Sequence, residues 1–206
     1  MERTVKVTGT GVSYAKPDQA RIRGSIQGKR QVYADAVRAA ADSVIALKKA
    51  IGDAGFDMDS LKTTRFSVHS EYRQEERDGV RVTVFDGFSF NHGISISTDA
   101  YDGSLGKLME AMTSCDDAPQ FGVEYYVSDP SDAMESARVM AVKDARHKAK
   151  SLASAAGVRL GQLVSISYGE QPSHGGVMLC RSMANDITPE DEEFTDSVTM
   201  EWAIDE

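Results

Sequence analysis

Gln19-Ala-Arg-Ile-Arg-Gly-Ser-Ile26 alternates apolar and polar residues, whereas Tyr33-Ala-Asp-Ala-Val-Arg-Ala-Ala-Ala-Asp-Ser-Val-Ile-Ala-Leu-Lys-Lys-Ala-Ile51, shortly after it, does not. In the first stretch Ala20, Ile22, Gly24 and Ile26 recur at every second residue, the period of a half-buried strand. In the second, Val37, Ala40, Val44, Leu47 and Ile51 recur at every third or fourth, the period of an amphipathic helix. Residues 3–14 already alternate, with Val5 and Val7 on one face and Thr4, Lys6 and Thr8 on the other, and Lys16-Pro17-Asp18 supplies a turn before the second strand. Two strands in succession followed by a helix depart from strict βα alternation. They predict an α+β fold with hairpin-paired strands.

The same reading extends along the chain. Gly55 stands where a left-handed C-cap ends the first helix. Phe66, Val68 and Tyr72 share one face of a strand, and Arg77-Asp78-Gly79 is hairpin chemistry, because Asp-Gly tolerates positive φ. The return strand carries Val80, Val82, Val84, Asp86, Phe88, Phe90, His92, Ile94 and Ile96 at its even positions. A helix over about 102–114 turns Leu105, Leu108, Met109 and Met112 inward, and Phe121, Val123, Tyr125 and Val127 alternate as a strand. Asp129-Pro130 opens the longest helix, an acidic N-cap followed by proline at the first helical position. Its inner stripe reads Met134, Ala137, Ala141, Ala145, Ala149 and Leu152, and Gly157 stops it. Val164, Ile166 and Tyr168 mark a strand, 171–190 a loop, and Val198, Met200, Trp202 and Ile204 the last strand. The order is β-β-α-β-β-α-β-α-β-β. The expectation is one α+β domain over residues 1–206, a mixed or antiparallel sheet with helices packed on one face, closing over one shared interior.

Composition narrows the function classes. The chain has 206 residues, 41% hydrophobic and 27% charged, which is globular and argues against disorder. It holds no run of about 18 apolar residues. Met-Glu-Arg-Thr-Val lacks the basic stretch and apolar core of a signal peptide, so a cytoplasmic location is expected, or an envelope (periplasmic) one if the chain is a processed form. Two cysteines, Cys115 and Cys180, are too few for a disulfide framework, and free buried thiols are expected. The net charge is −9, and nine acids with no Lys or Arg lie between Asp186 and Glu206. Residues 1–31 are the basic counterpart, with Arg3, Lys6, Lys16, Arg21, Arg23, Lys29 and Arg30 against Glu2 and Asp18. No global attraction to nucleic acid follows. The acidic end reads as a solvated loop and strand edge, or else as a segment that pairs with the basic first strands, within one chain or between chains.

Few constellations carry chemistry. Gly9-Thr10-Gly11 is followed by a strand, not by the helix N-terminus a phosphate loop requires, and reads as a strand irregularity or a close backbone approach. Asp86 and His92 share a strand face but stand about 20 Å apart in an extended chain, too far for an acid–base pair unless a bulge intervenes. His174 and Cys180 lack the spacing and the second pair of a zinc site. Asp116 and Asp117 beside Cys115 disfavour a thiolate. Lys143, Arg146, His147 and Lys150 share one helical face opposite the alanine stripe, either solvated or a docking surface for acidic groups. Nucleophile elbows, His-Glu-x-x-His, Walker and dinucleotide motifs are absent from the sequence.

Five segments in order, the fourth of them running from Ala145 to Val158, resemble one family. They are Val5-Lys-Val-Thr-Gly-Thr-Gly11 with Pro17-Asp18-Gln-Ala20, Gly55-Phe-Asp-Met-Asp-Ser-Leu-Lys-Thr63, Gly87-Phe-Ser-Phe-Asn91 with Ile94-Ser-Ile96, Ala145-Arg-His-Lys-Ala149 with Leu152-Ala, Ala156-Gly157-Val158, and Leu160-Gly-Gln-Leu-Val-Ser-Ile166. Together they resemble the SIMPL-domain family, also called YggE-type. The resemblance implies an α+β fold and a tendency to self-associate, and it supplies no catalytic residues. Many such proteins are exported from bacterial cells, and some are linked to stress defence.

The expected function is therefore a non-enzymatic, self-assembling interaction protein without cofactor or metal, and without membrane insertion. Val198, Met200, Trp202 and Ile204 would bury one face in the assembly, with Lys143, Arg146 and Lys150 as docking cations. The alternative is a small-molecule binding module whose pocket between sheet and helices is lined by Phe88, Phe90, His92 and Tyr125.

Overall fold

The computed structural model describes residues 3–115, 118–169 and 189–205. The elements follow the predicted order: β1 (Thr4–Ala15), β2 (Gln19–Arg30), α1 (Tyr33–Asp53), a 3-10 turn (Met58–Ser60), β3 (Lys62–Arg77), β4 (Val80–Asp99), α2 (Ser104–Thr113), β5 (Gln120–Tyr126), α3 (Ser131–Ala155), β6 (Arg159–Ser167) and β7 (Glu192–Asp205). All strand pairs are antiparallel. The apolar stripes close over two buried clusters, not one shared interior, because the strands divide into two sheets. Two compact units result.

The central unit, 18–126, carries a four-stranded sheet in the order β3-β4-β2-β5. Ala20, Ile22 and Ile26 of β2, Phe90, Ile94 and Ile96 of β4, and Val123 of β5 face Ala36, Ala40, Leu47 and Ile51 of α1 and Leu108 and Met112 of α2. The opposite sheet face is polar, with Arg23 paired to Glu124 at 3.2 Å and Arg21 over the Tyr126 ring. Asp78 and Gly79 both adopt positive φ, as a two-residue turn between twisted strands requires. The even-numbered face predicted for β4 does not run unbroken. The register slips between Glu71 and Tyr72, and Gly87 sits at φ 114° with no room for a Cβ against the Arg30 carbonyl. This bulge places Phe85 against Phe88 and leaves Asp86 with Lys29 and Arg73.

The other unit joins the two ends of the chain in a three-stranded sheet, β1-β7-β6, beneath α3. Its strand β7 is central although last in sequence, and it matches β1 residue for residue from Ala15↔Glu192 to Thr4↔Ala203. The acidic end thus pairs with the first strand inside one chain. Helix α3 begins one residue later than predicted: Pro130 is the N-cap, and the Asp129 carboxylate accepts the Ser131 N–H. Its buried stripe is alanine throughout, Ala133, Ala137, Ala141, Ala145, Ala149 and Ala153, while Met134 and Leu152 are exposed. The reason is on β1. A Cβ at Gly9 would stand 2.1 Å from the Ala141 carbonyl oxygen, and one at Gly11 2.0 Å from that of Ala137. Ser13, next on that face, donates from its hydroxyl to the Ala133 carbonyl. Alternate strand residues rise ~6.8 Å and a helical step of four ~6 Å, so the glycines and alanines stay nearly in step. Both long helices close as predicted. Phe56 N–H reaches Ile51 C=O and Val158 N–H reaches Ala153 C=O, with Gly55 and Gly157 left-handed between.

Candidate interaction surface

The apolar residues of β7 do not face outward. Val198, Met200 and Trp202 are buried against the alanine stripe, with Val5, Val7 and Leu160 around them, so they line this unit's own core. Ile204 is half-buried and lies opposite Leu160. Lys143, Arg146, His147 and Lys150 are exposed on the outer side of α3. The acidic strand takes its partners locally. Glu201 accepts from Thr4 and Ser165, and Glu193 accepts from Tyr14, whose phenol it holds above its usual range. Asp196 accepts from the Tyr168 hydroxyl at 2.8 Å and lies 3.4 Å from the Arg138 guanidinium, which also stands over the Tyr168 ring.

The two edges of this sheet differ. On β1 the Thr10 N–H donates to the Asp144 carboxylate at 2.8 Å, and Lys148 Nζ donates to the Thr8 carbonyl at 3.1 Å. Asp144 and Lys148 also pair with each other at 2.7 Å, one helical turn apart on α3. The lysine and the Thr10 N–H hold the Asp144 carboxyl below its usual range. Lys148 further lines a shallow cleft of about 520 Å³ with Val7, Thr8, His147, Ser151 and Leu152. Strand β6 has no such clamp among the described residues. Leu163, Val164 and Ile166 are each about half exposed, and from Leu160 to Gly169 no residue is charged. The edge strand β3 is otherwise made: it carries Lys62, Arg65, Glu71, Arg73, Glu75, Glu76 and Arg77 and two register irregularities. Charges and bulges of that kind blunt an edge against strand addition. The uncharged run of β6 was legible in the sequence. That β6 lies at an edge was not, because pairing order is a tertiary fact.

Neither of the two clefts described is lined by Phe88, Phe90, His92 or Tyr125. Phe90 is buried beneath Gly28, Phe88 packs edge-on against Tyr33 and Phe85, and Tyr125 is partly buried against the same core. His92 Nε2 meets the Thr63 hydroxyl at 2.9 Å and its ring lies beside Phe66, while Nδ1 is buried with no hydrogen-bond partner among the described residues. Burial lowers the His92 pKa below 6.5. The bulge puts Asp86 with cations instead, and Lys29 holds its carboxyl low. An open cleft of about 650 Å³ does lie between α1 and the end of α2, lined by Arg30, Asp35, Arg38, Asp42, Ser43 and Cys115 among others. Cys115 is half-buried, its Sγ 4.0 Å from the Ala111 carbonyl oxygen. His174, Cys180, Asp116, Asp117 and nearly all of the 171–190 loop lie outside the described residues. Among the described residues no three His, Cys, Asp or Glu side chains gather as metal ligands, and no helix is long and apolar enough to cross a membrane.

A family model described as SIMPL, a protein of unknown function (DUF541), matches residues 5–202. The chain belongs to the SIMPL family. Two curated relatives are each named 26 kDa periplasmic immunogenic protein, one from Brucella melitensis biotype 1 and one from Brucella abortus strain S19. Each is 28% identical over 170 residues, which is 82% of this chain and 67% of the relative. The ordered segments that suggested the family span the glycines under α3 and the β6 edge. In this SIMPL chain they are packing and edge positions.

Proposed function

We propose that this SIMPL chain is a non-enzymatic interaction protein that assembles with copies of itself through β6. The observation that carries the reading is an edge strand whose apolar side chains are exposed and whose sequence from Leu160 to Gly169 has no charge. An edge left in that state is a template for a further strand. Val198, Met200 and Trp202 serve the reading only indirectly, by fixing β7 beneath α3 so that β6 is the outer strand. The names of the Brucella relatives favour the envelope over the cytoplasm as the working compartment. Sedimentation velocity at tens of micromolar tests the assembly. The expected result is an assembled species that Ile166→Lys weakens about tenfold or more in dissociation constant, equivalent to about 1.4 kcal/mol. Monomer alone at that concentration removes the reading. Fractionation of the source cells tests the compartment.

A further inference from the structure

We propose that the outward face of α3 docks on an anionic membrane surface, with Lys143, Arg146 and Lys150 on lipid phosphates and Val139 and Val142 against the headgroup layer. The helix lies on the bilayer and does not cross it. This surface is a different element from β6, and its docking stands or falls apart from assembly.

The three cations follow one stripe of α3, and Val139 extends it by one turn toward the N-terminus. All four residues are exposed, as are Met140 and Val142 beside them. The stripe from Val139 to Lys150 is ~16 Å long. Other cations of this helix have acids: Arg138 pairs with Glu135, and Lys148 with Asp144. Lys143, Arg146 and Lys150 have no ion pair or hydrogen bond among the described residues. Their charged neighbours one turn away are one another, and like charges at that spacing destabilise a helix. The chain carries a net −9, yet Asp144 is the sole acid between Val139 and Ala155. The helix dipole does not account for the cluster either. It favours cations in the last turn, where α3 has none.

The opposite charge lies across the layer. Val198, Met200 and Trp202 face α3, so Glu193 and Glu201 take the far side of the sheet, where they meet Tyr14 and Thr4. Such a separation turns the helix side toward an anionic surface even in a chain of net negative charge. Shape selects a membrane over an acidic protein. Neither cleft is lined by Lys143, Arg146 or Lys150, and the outer side of a helix is convex. Lipid phosphates move laterally and gather beneath cations of any spacing, so they need no groove. The exposed valines add apolar contact with the headgroup layer.

The test is co-sedimentation of the full chain with vesicles of equal parts phosphatidylglycerol and phosphatidylcholine, and with phosphatidylcholine alone. Binding is expected to the first only, and to fall as salt is raised. A Lys or Arg at such a surface contributes about fivefold to partitioning. Lys150→Gln is therefore expected to lose about fivefold, and Lys143→Gln with Arg146→Gln and Lys150→Gln about a hundredfold. Arg38→Gln with Lys49→Gln and Lys107→Gln changes the net charge equally on exposed positions of the central unit and is expected to keep binding. Trp202 emission reports whether each variant has folded. No binding to the anionic vesicles, or equal loss in both triple variants, would overturn the proposal. Retention on immobilised polyglutamate without vesicle binding would assign the face to an acidic protein and overturn it as well.

Discussion

Gly11 stands where the α3 backbone leaves space for a hydrogen and nothing larger. Gly11→Ala must push strand and helix apart, and overpacking of this kind costs about 1–3 kcal/mol, the upper end being expected where the obstacle is backbone. Trp202, the single tryptophan, is buried in this unit, so denaturant unfolding followed by its emission reads the loss directly. His92 poses a different constraint. Protonation would place a charged N–H at the buried Nδ1, which has no acceptor among the described residues. Its folded pKa is depressed below 6.5, so the native state binds its proton less readily than the unfolded chain. The stability it contributes is full above 6.5 and falls as the pH drops through the depressed value. Thermal unfolding between about pH 7.5 and 5 is expected to show that decline, and His92→Gln to flatten it. The sequence set His92 and Asp86 on one strand face. It did not supply the bulge at Asp86–Gly87 that separates the aspartate from it, since a one-residue slip is set by the partner strand.

At the scale of elements, α3 both covers the sheet and edges it. Its alanine stripe needed only the i+4 repeat to be seen, but the ends of the stripe were misplaced onto Met134 and Leu152. A helix pattern alone does not reveal that Gly9 and Gly11 of the facing strand stand against the helix backbone at Ala137, Ala141 and Ala145. The Asp144–Lys148 pair is an ordinary i,i+4 spacing in sequence. Its attachment to Thr10 and Thr8 came only with the fold. Asp144→Ala removes the acceptor of the Thr10 N–H, a charge-assisted hydrogen bond that screening weakens at this exposed site. Hydrogen exchange is therefore expected to show the Thr10 amide losing roughly tenfold in protection, with the Ile22 and Ile96 amides of the central unit unchanged.

For the molecule as a whole, the described residues of the central unit are continuous in sequence and those of the other come from both ends. A fragment of residues 18–126 retains every buried member of its own cluster. It is expected to unfold in one cooperative transition by circular dichroism, whereas a chain ending before Glu192 lacks the central strand of the other sheet and is expected to leave β1, α3 and β6 unfolded. The amino-acid order was sufficient for the element types, their sequence, both glycine C-caps and the Asp-Gly turn, because period, capping and turn chemistry act over a few neighbouring residues. The family, too, was legible in the ordered segments. Which strands share a sheet, which of them stand at its edges, and which face of β7 is already covered came from tertiary structure alone. Those depend on contacts between residues far apart in the chain, as Gly11 with Ala137 or Val5 with Trp202, and local periodicity is the same whether a strand ends up in the middle of a sheet or at its rim.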